Sequence, residues 1–188
     1  GRLGGSPEYA AAVSYTSHML DTIGVDSVWT QPVEVDYWRR GNVEKAKIIN
    51  SKHLGTVELA VVALGFSGGT EALGVTAEVI EIKSFEELEA LGKDKVKGKI
   101  VFYNRPMEVT RLNTFHAYGA GVNQRTAGPR TASKLGAIGT IVRSMTVKYD
   151  NVPHSGVTIF KDAKPIPAVA IGLKDADLLS MMIKKEPN

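Results

Sequence analysis

Gly65-Phe66-Ser67-Gly68-Gly69 has the pattern G-x-S-x-G, in which a serine on a sharp strand-to-helix turn can serve as an acyl-transfer nucleophile. A strand pattern over 58–64 precedes it. The chemistry also needs a helix directly after the serine, so that backbone N–H groups at its start stabilise an oxyanion. Here Thr70-Glu71-Ala72-Leu73 reaches Gly74 after four residues, and another strand pattern follows. The acid and histidine that should come next are not evident, because His116 and His154 both sit in stretches without apolar periodicity. A Gly-rich loop between strands accounts better for the motif, and a serine hydrolase built on Ser67 is the weaker alternative.

Metal chemistry would need three or four converging His, Asp or Glu ligands, usually seeded by a close pair. The four histidines, His18, His53, His116 and His154, are far apart, and none has an acid two residues on. Glu86-Glu87 belongs instead to a capping box with Ser84 at an exposed helix start. Gly119-Ala120-Gly121 follows no clear strand and makes a weak phosphate cradle. No catalytic residue and no metal ligand can therefore be assigned. More promising is a polar and aromatic set in two long stretches, 104–127 and 144–165: Tyr103, Asn104, Arg105, Arg111, His116, Tyr118, Arg125, His154 and Ser155. Binding residues collect on loops held by a rigid scaffold, and arginine can clamp a carboxylate through two hydrogen bonds. Arg111, His116, Tyr118 and His154 are the substrate-contact candidates; the plain alternative is that such side chains are simply solvated.

The elements that would carry these loops are short. GKIVFYNRP (98–106), SKLGAIGTIVRS (133–144) and IPAVAIGLKDADLL (166–179) each hold a Val- and Ile-rich run bounded by Gly or Pro. Such runs fit buried strands of a compact mixed α/β module. Further strands are expected at 43–49, 58–64 and 75–82, and Trp29, Gln31, Val33, Val35 and Tyr37 alternate as a half-exposed strand. Ser6-Pro7-Glu8 opens a helix that Gly24 closes; others should run from Ser84 to Leu91, over 129–136, and over 175–183.

The 188 residues suffice for one substantial core or a domain with an appendage. No apolar run approaches the ~20 residues of a membrane helix. Without cysteine, disulfides and thiolate chemistry are excluded. The net charge of +3 is modest, and the basic cluster KDKVKGK (93–99) lacks interleaved aromatics, which argues against nucleic acid. The chain opens at Gly1 without an initiator Met and stops after a helical pattern, so a piece of a longer protein is expected.

The opening GRLGGSPEYAAAVSYTSHML resembles the N-terminal segment of secreted di-zinc aminopeptidases, where R-L-x-G-S precedes the first helix. TAEVIEIKSFEELEALGKDKVKGKIVFYNRPM, then ASKLGAIGTIVRS, PHSG and IPAVAIGLKDADLLSMM, resemble the protease-associated domain inserted in that family, closest to its carboxypeptidase Q branch. The resemblance implies a β-sandwich or open barrel of short strands flanked by two or three short helices. It implies residues 1–45 as the edge of a peptidase domain and 46–188 as the protease-associated domain. The family's zinc ligands and catalytic glutamate lie beyond the inserted module, so none transfers to a residue here. The resemblance therefore implies a non-catalytic module that gates or shapes substrate access, no cofactor in this segment, and two zinc ions in the parent. Its partners would be the parent's own peptidase domain and a peptide substrate, with a homodimer possible. Location would be secreted or periplasmic. A free-standing peptide- or protein-interaction module is the alternative from another class.

Overall fold

A computed structural model describes residues 2–41 and 43–186. The chain divides into two compact units, Gly1–Arg40 and Gly41–Asn188.

In the first unit, helix α1 (Pro7–Thr22) starts where expected. The Ser6 hydroxyl accepts the Tyr9 N–H at 3.1 Å, and Pro7 occupies the first turn, where no N–H is needed. Gly24, at φ +81°, terminates it. No residue of α1 is buried. The strand expected over Trp29–Tyr37 does not form: residues 25–40 hold no regular structure. Alternation alone does not make a strand, because its N–H and C=O groups need a neighbour, and Pro32 removes one donor. Gly5, at φ +79°, allows close approach of Tyr37, whose ring a Cβ there would meet at 3.1 Å.

The second unit opens with an antiparallel hairpin, β1 (Ala46–Ser51) and β2 (Gly55–Leu59). After one residue comes β3 (Val61–Ala63), which enters a five-stranded sheet. The break falls at Ala60, whose N–H donates to the buried Asp175 carboxylate at 2.6 Å. There follow β4 (Val79–Ile82), α2 (Phe85–Val96), β5 (Ile100–Tyr103), α3 (Thr114–Gly121), α4 (Asn123–Thr126) and α5 (Gly128–Lys134). Then come β6 (Gly139–Arg143), β7 (Ala168–Ile171) and α6 (Leu173–Lys185). Sheet order is β3-β7-β6-β5-β4, with β4 to β7 parallel and β3 antiparallel to β7.

The mixed α/β class is as expected, in the form of an open sheet with no closed barrel. Strict alternation splits its core in two. Ile82, Val101, Tyr103, Val142, Ala168 and Ala170 face α2 and α5, packing with Leu88, Val96 and Ala132. Phe102, Ile141 and Ile171 face α6, packing with Ala176 and Leu179. Burying Phe102 completely contributes about 2–3 kcal/mol.

Three details depart from the expectation. Gly92 breaks helical geometry at φ +70°, yet α2 resumes and runs to Val96. The stretch 104–127, read as loop, contains α3 and α4, so that five helices, α2 to α6, accompany the strands of the second unit among the described residues rather than two or three. The 58–64 run is two strands, β2 and β3, in different sheets.

Candidate functional site

The two connections that hold the candidate residues leave the C-terminal ends of β5 and β6. In open α/β sheets, ligands bind at this end of the strands. The first connection is anchored by Gln124, which is buried. Its amide oxygen accepts the Arg105 N–H at 3.2 Å, and its amide nitrogen donates to the Arg105 carbonyl at 3.0 Å. Asn113 caps α3, accepting from the N–H groups of Phe115 and His116. Buried positions Ala117, Gly121, Gln124, Arg125, Gly128, Pro129 and Ala132 then recur at helical intervals through α3, α4 and α5.

Arg125 joins this helical run to the second connection. The residue is 8% exposed, and its guanidinium donates to the Tyr118 hydroxyl and the Ser155 carbonyl and stacks over the Tyr118 ring at 5.5 Å. Gly156 lies flat against it: a Cβ there would stand 2.4 Å from the guanidinium carbon. The second connection takes further partners from its surroundings. Ile159 N–H donates to the Thr126 carbonyl at 2.9 Å, His154 N–H to Ser144 Oγ at 2.8 Å, and Ser155 Oγ to the Ala63 carbonyl at 3.3 Å.

The structure brings Tyr118 and the backbone beside His154 together through Arg125. It does not gather the four candidates into one cluster. Arg111 is exposed and paired with Glu108; the pairing holds the Glu108 carboxyl below its ordinary range and pushes the Arg111 guanidinium up. His116 is exposed in the first turn of α3, near the exposed Leu112 and Phe115. His154 is exposed on the second connection.

A further polar cluster, beyond the four candidates, spans β4, β5, β6 and α6. Glu81 accepts from Asn104 Nδ2 at 2.6 Å and from Ser180 Oγ at 2.8 Å. Arg143 donates to Asn104 Oδ1 at 3.1 Å and to Asp177 at 2.6 Å. Both carboxylates are engaged, so the cluster braces α6 against the strand ends. Tyr103 is buried, which pushes its phenol pKa up, and the hydroxyl donates to the Gly128 carbonyl at 2.6 Å.

Ser67 is buried, no helix begins between it and Phe85, and the positive φ of its turn falls on Phe66 rather than on the serine. That geometry is not a nucleophile elbow. Among the described residues, no three His, Asp or Glu side chains converge as metal ligands. Among the described residues, no helix is long and apolar enough to cross a membrane.

No protein-family model matches the chain. It is 36% identical to carboxypeptidase Q of Xenopus laevis over 185 residues, which are 98% of this chain and 37% of that protein. The solved structure of a peptidase M28 precursor from Shewanella amazonensis SB2B superposes with a TM-score of 0.86 at 33% identity, covering 98% of this chain and 40% of that one. A zinc aminopeptidase from Bacillus subtilis shares the fold at a TM-score of 0.51 and 19% identity, over 95% of this chain and 37% of that one. The chain thus spans little more than a third of the curated relative it matches. Nearly its whole length is homologous to one part of carboxypeptidase Q, and its structural relatives are M28 peptidases and aminopeptidases.

Proposed function

We propose that residues 46–188 are the protease-associated module of a secreted or periplasmic zinc-dependent exopeptidase, and that residues 1 to about 45 are the edge of its peptidase domain. The observation that carries this reading is the alignment: nearly the whole chain matches, but over only 37% of carboxypeptidase Q. The module does no chemistry itself. It covers or shapes the substrate cleft, with Arg111, His116, Tyr118 and His154 as the contacts to a peptide. The two zinc ions would be held by the catalytic part of the longer parent, a reading supported by the zinc aminopeptidase among the structural relatives. The exposed Trp29, Val33, Val35 and Tyr37 support the placement of the first segment, since apolar surface of this kind marks a face that another domain covers.

The test is the reading frame past Asn188, followed by expression of the longer chain. An H-x-D motif and a later Glu-Glu pair, with zinc-dependent exopeptidase activity that the 188 residues lack on their own, are expected. A stop codon directly after Asn188 would favour a free-standing interaction module, and robust peptide hydrolysis by the 188 residues plus zinc would overturn the proposal.

A further inference from the structure

The irregular stretches that follow β5 and β6, 104–113 and 144–167, hold five lysines and arginines: Arg105, Arg111, Lys148, Lys161 and Lys164. A trypsin-like serine endopeptidase cuts after such residues. It must draw the chain out as an extended strand, aim the carbonyl into its oxyanion hole and meet no proline on the leaving side. Four of the five fail one of these conditions. Arg105 and Lys164 each precede a proline, Pro106 and Pro165. Arg105 is held besides by Gln124, which accepts its N–H and donates to its carbonyl. Lys161 has φ +48°, which is left-handed rather than extended. The Lys148 carbonyl accepts the Asp150 N–H at 3.0 Å, and the Lys148 N–H donates to Thr146 Oγ1 at 3.1 Å, so both its backbone groups are taken up in a turn.

Arg111 is different on every count. Residues 108–116 are all exposed, and Leu112, on the leaving side, is wholly so. Among the described residues, no backbone hydrogen bond from 106–112 reaches another element; the chain makes one turn of its own at Val109–Thr110. No residue of this stretch has a positive φ, and Asn113 is already extended at φ −90°, ψ 108°. The Arg111 guanidinium is paired only with Glu108, an exposed contact that a carboxylate in a specificity pocket can replace.

We propose that the Arg111–Leu112 bond is a processing site for an arginine-directed serine endopeptidase. The reaction is hydrolysis: the C–N bond breaks, the Arg111 carbonyl carbon gains the water hydroxyl and the Leu112 nitrogen gains the proton. The fold survives the cut. The piece ending at Arg111 supplies β3, β4 and β5, and the piece starting at Leu112 supplies β6 and β7. Sheet order β3-β7-β6-β5-β4 joins the two pieces twice, β3 to β7 and β5 to β6. The Gln124 clamp on Arg105 joins them a third time. The product is a two-piece chain, opened between the contact candidates Arg111 and His116.

The test is limited digestion of the 188-residue chain by trypsin, read by intact-mass spectrometry and size exclusion. Between residues 46 and 186, the first new ends should be Arg111 and Leu112. The pieces should elute together until denaturant is added. Low urea should leave the rate unchanged, because the bond is open in the native state. Arg111→Gln should slow this cut by more than about tenfold, since the specificity pocket loses its cation. Leu112→Pro keeps the arginine and should block the same cut. Both side chains are exposed, so the variants keep their fold. Lys148→Gln should change nothing. A first cut elsewhere between 46 and 186, a rate at Arg111 that climbs with low urea, cutting that persists in either variant, or separation of the pieces in native buffer would each overturn the inference. So would protection of this bond when the 188 residues are digested as part of a longer parent.

Discussion

The connection from β5 to β6 and the one from β6 to β7 leave the same end of the same sheet, yet they are built differently. The first closes its own backbone hydrogen bonds in α3, α4 and α5. The second has no element of its own among residues 144–167 beyond a single bridge between Gly65 and Val157. It takes its partners from Thr126, Ser144, Ala63 and the guanidinium of Arg125. A helical connection carries its order with it, whereas an irregular one has only the order its neighbours supply. The second connection should therefore be the part that changes of residue or solvent release first.

Glycine substitutions give the widest separation between the two. A Cβ on Gly172 would stand 2.6 Å from the Asn151 backbone, which cannot yield as a flexible side chain would. Gly172→Ala should lower stability by about 3 kcal/mol in urea unfolding. Gly119 lies in α3 with nothing within 4 Å of its missing Cβ. Gly119→Ala should be neutral or stabilise by up to about 1 kcal/mol, because alanine is the better helix former. Equal destabilisation by the two would show that the connections are not different in kind.

Arg125→Ala comes next. It removes the guanidinium that donates to the Ser155 carbonyl and the Tyr118 hydroxyl and opens a void, for a cost of about 2 kcal/mol. Hydrogen exchange should quicken across 152–160 while α3 keeps its protection. Uniform loss in both connections would mean that Arg125 supports the fold as a whole and does not tie one connection to the other. Tyr118→Phe removes only one of these bonds and should cost about 1 kcal/mol, with the same local signature.

How far the sequence could be read follows the same division. β4, β5, β6 and β7 were legible because Val- and Ile-rich runs between Gly or Pro are what a strand buried on both faces requires. The start of α1 at Ser6-Pro7 and of α2 at Ser84 followed from capping chemistry. The helices α3 and α4 were hidden because their buried positions are Ala117, Gly121, Gln124 and Arg125, of which only the small Ala117 registers as apolar; small and polar residues at helical spacing were the available signal. The role of Arg125 was out of reach, since its partners Ser155 and Gly156 lie some thirty residues on and meet it only through the fold. The strand over Trp29–Tyr37 was misread because alternation shows which side chains share a face, not whether a neighbouring strand exists.

The smallest effect concerns pH. Asp162, on the second connection, accepts from Lys134 at 2.7 Å and from Arg130 at 2.7 Å, both on α5. The bond from Lys134, then the one from Arg130, hold its carboxyl well below the ordinary aspartate range. Since the folded-state pKa lies below the unfolded value of about 3.9, the link is fully present above that pH and is lost as pH falls through the depressed folded value. Cleavage by pepsin, which works in acid, should accordingly appear within 144–167 as the pH drops below about 4, while 114–134 stays intact. Asp162→Asn should bring that cleavage on at higher pH. If cleavage begins in α3 or α5 instead, the helical connection is the weaker of the two and the comparison reverses.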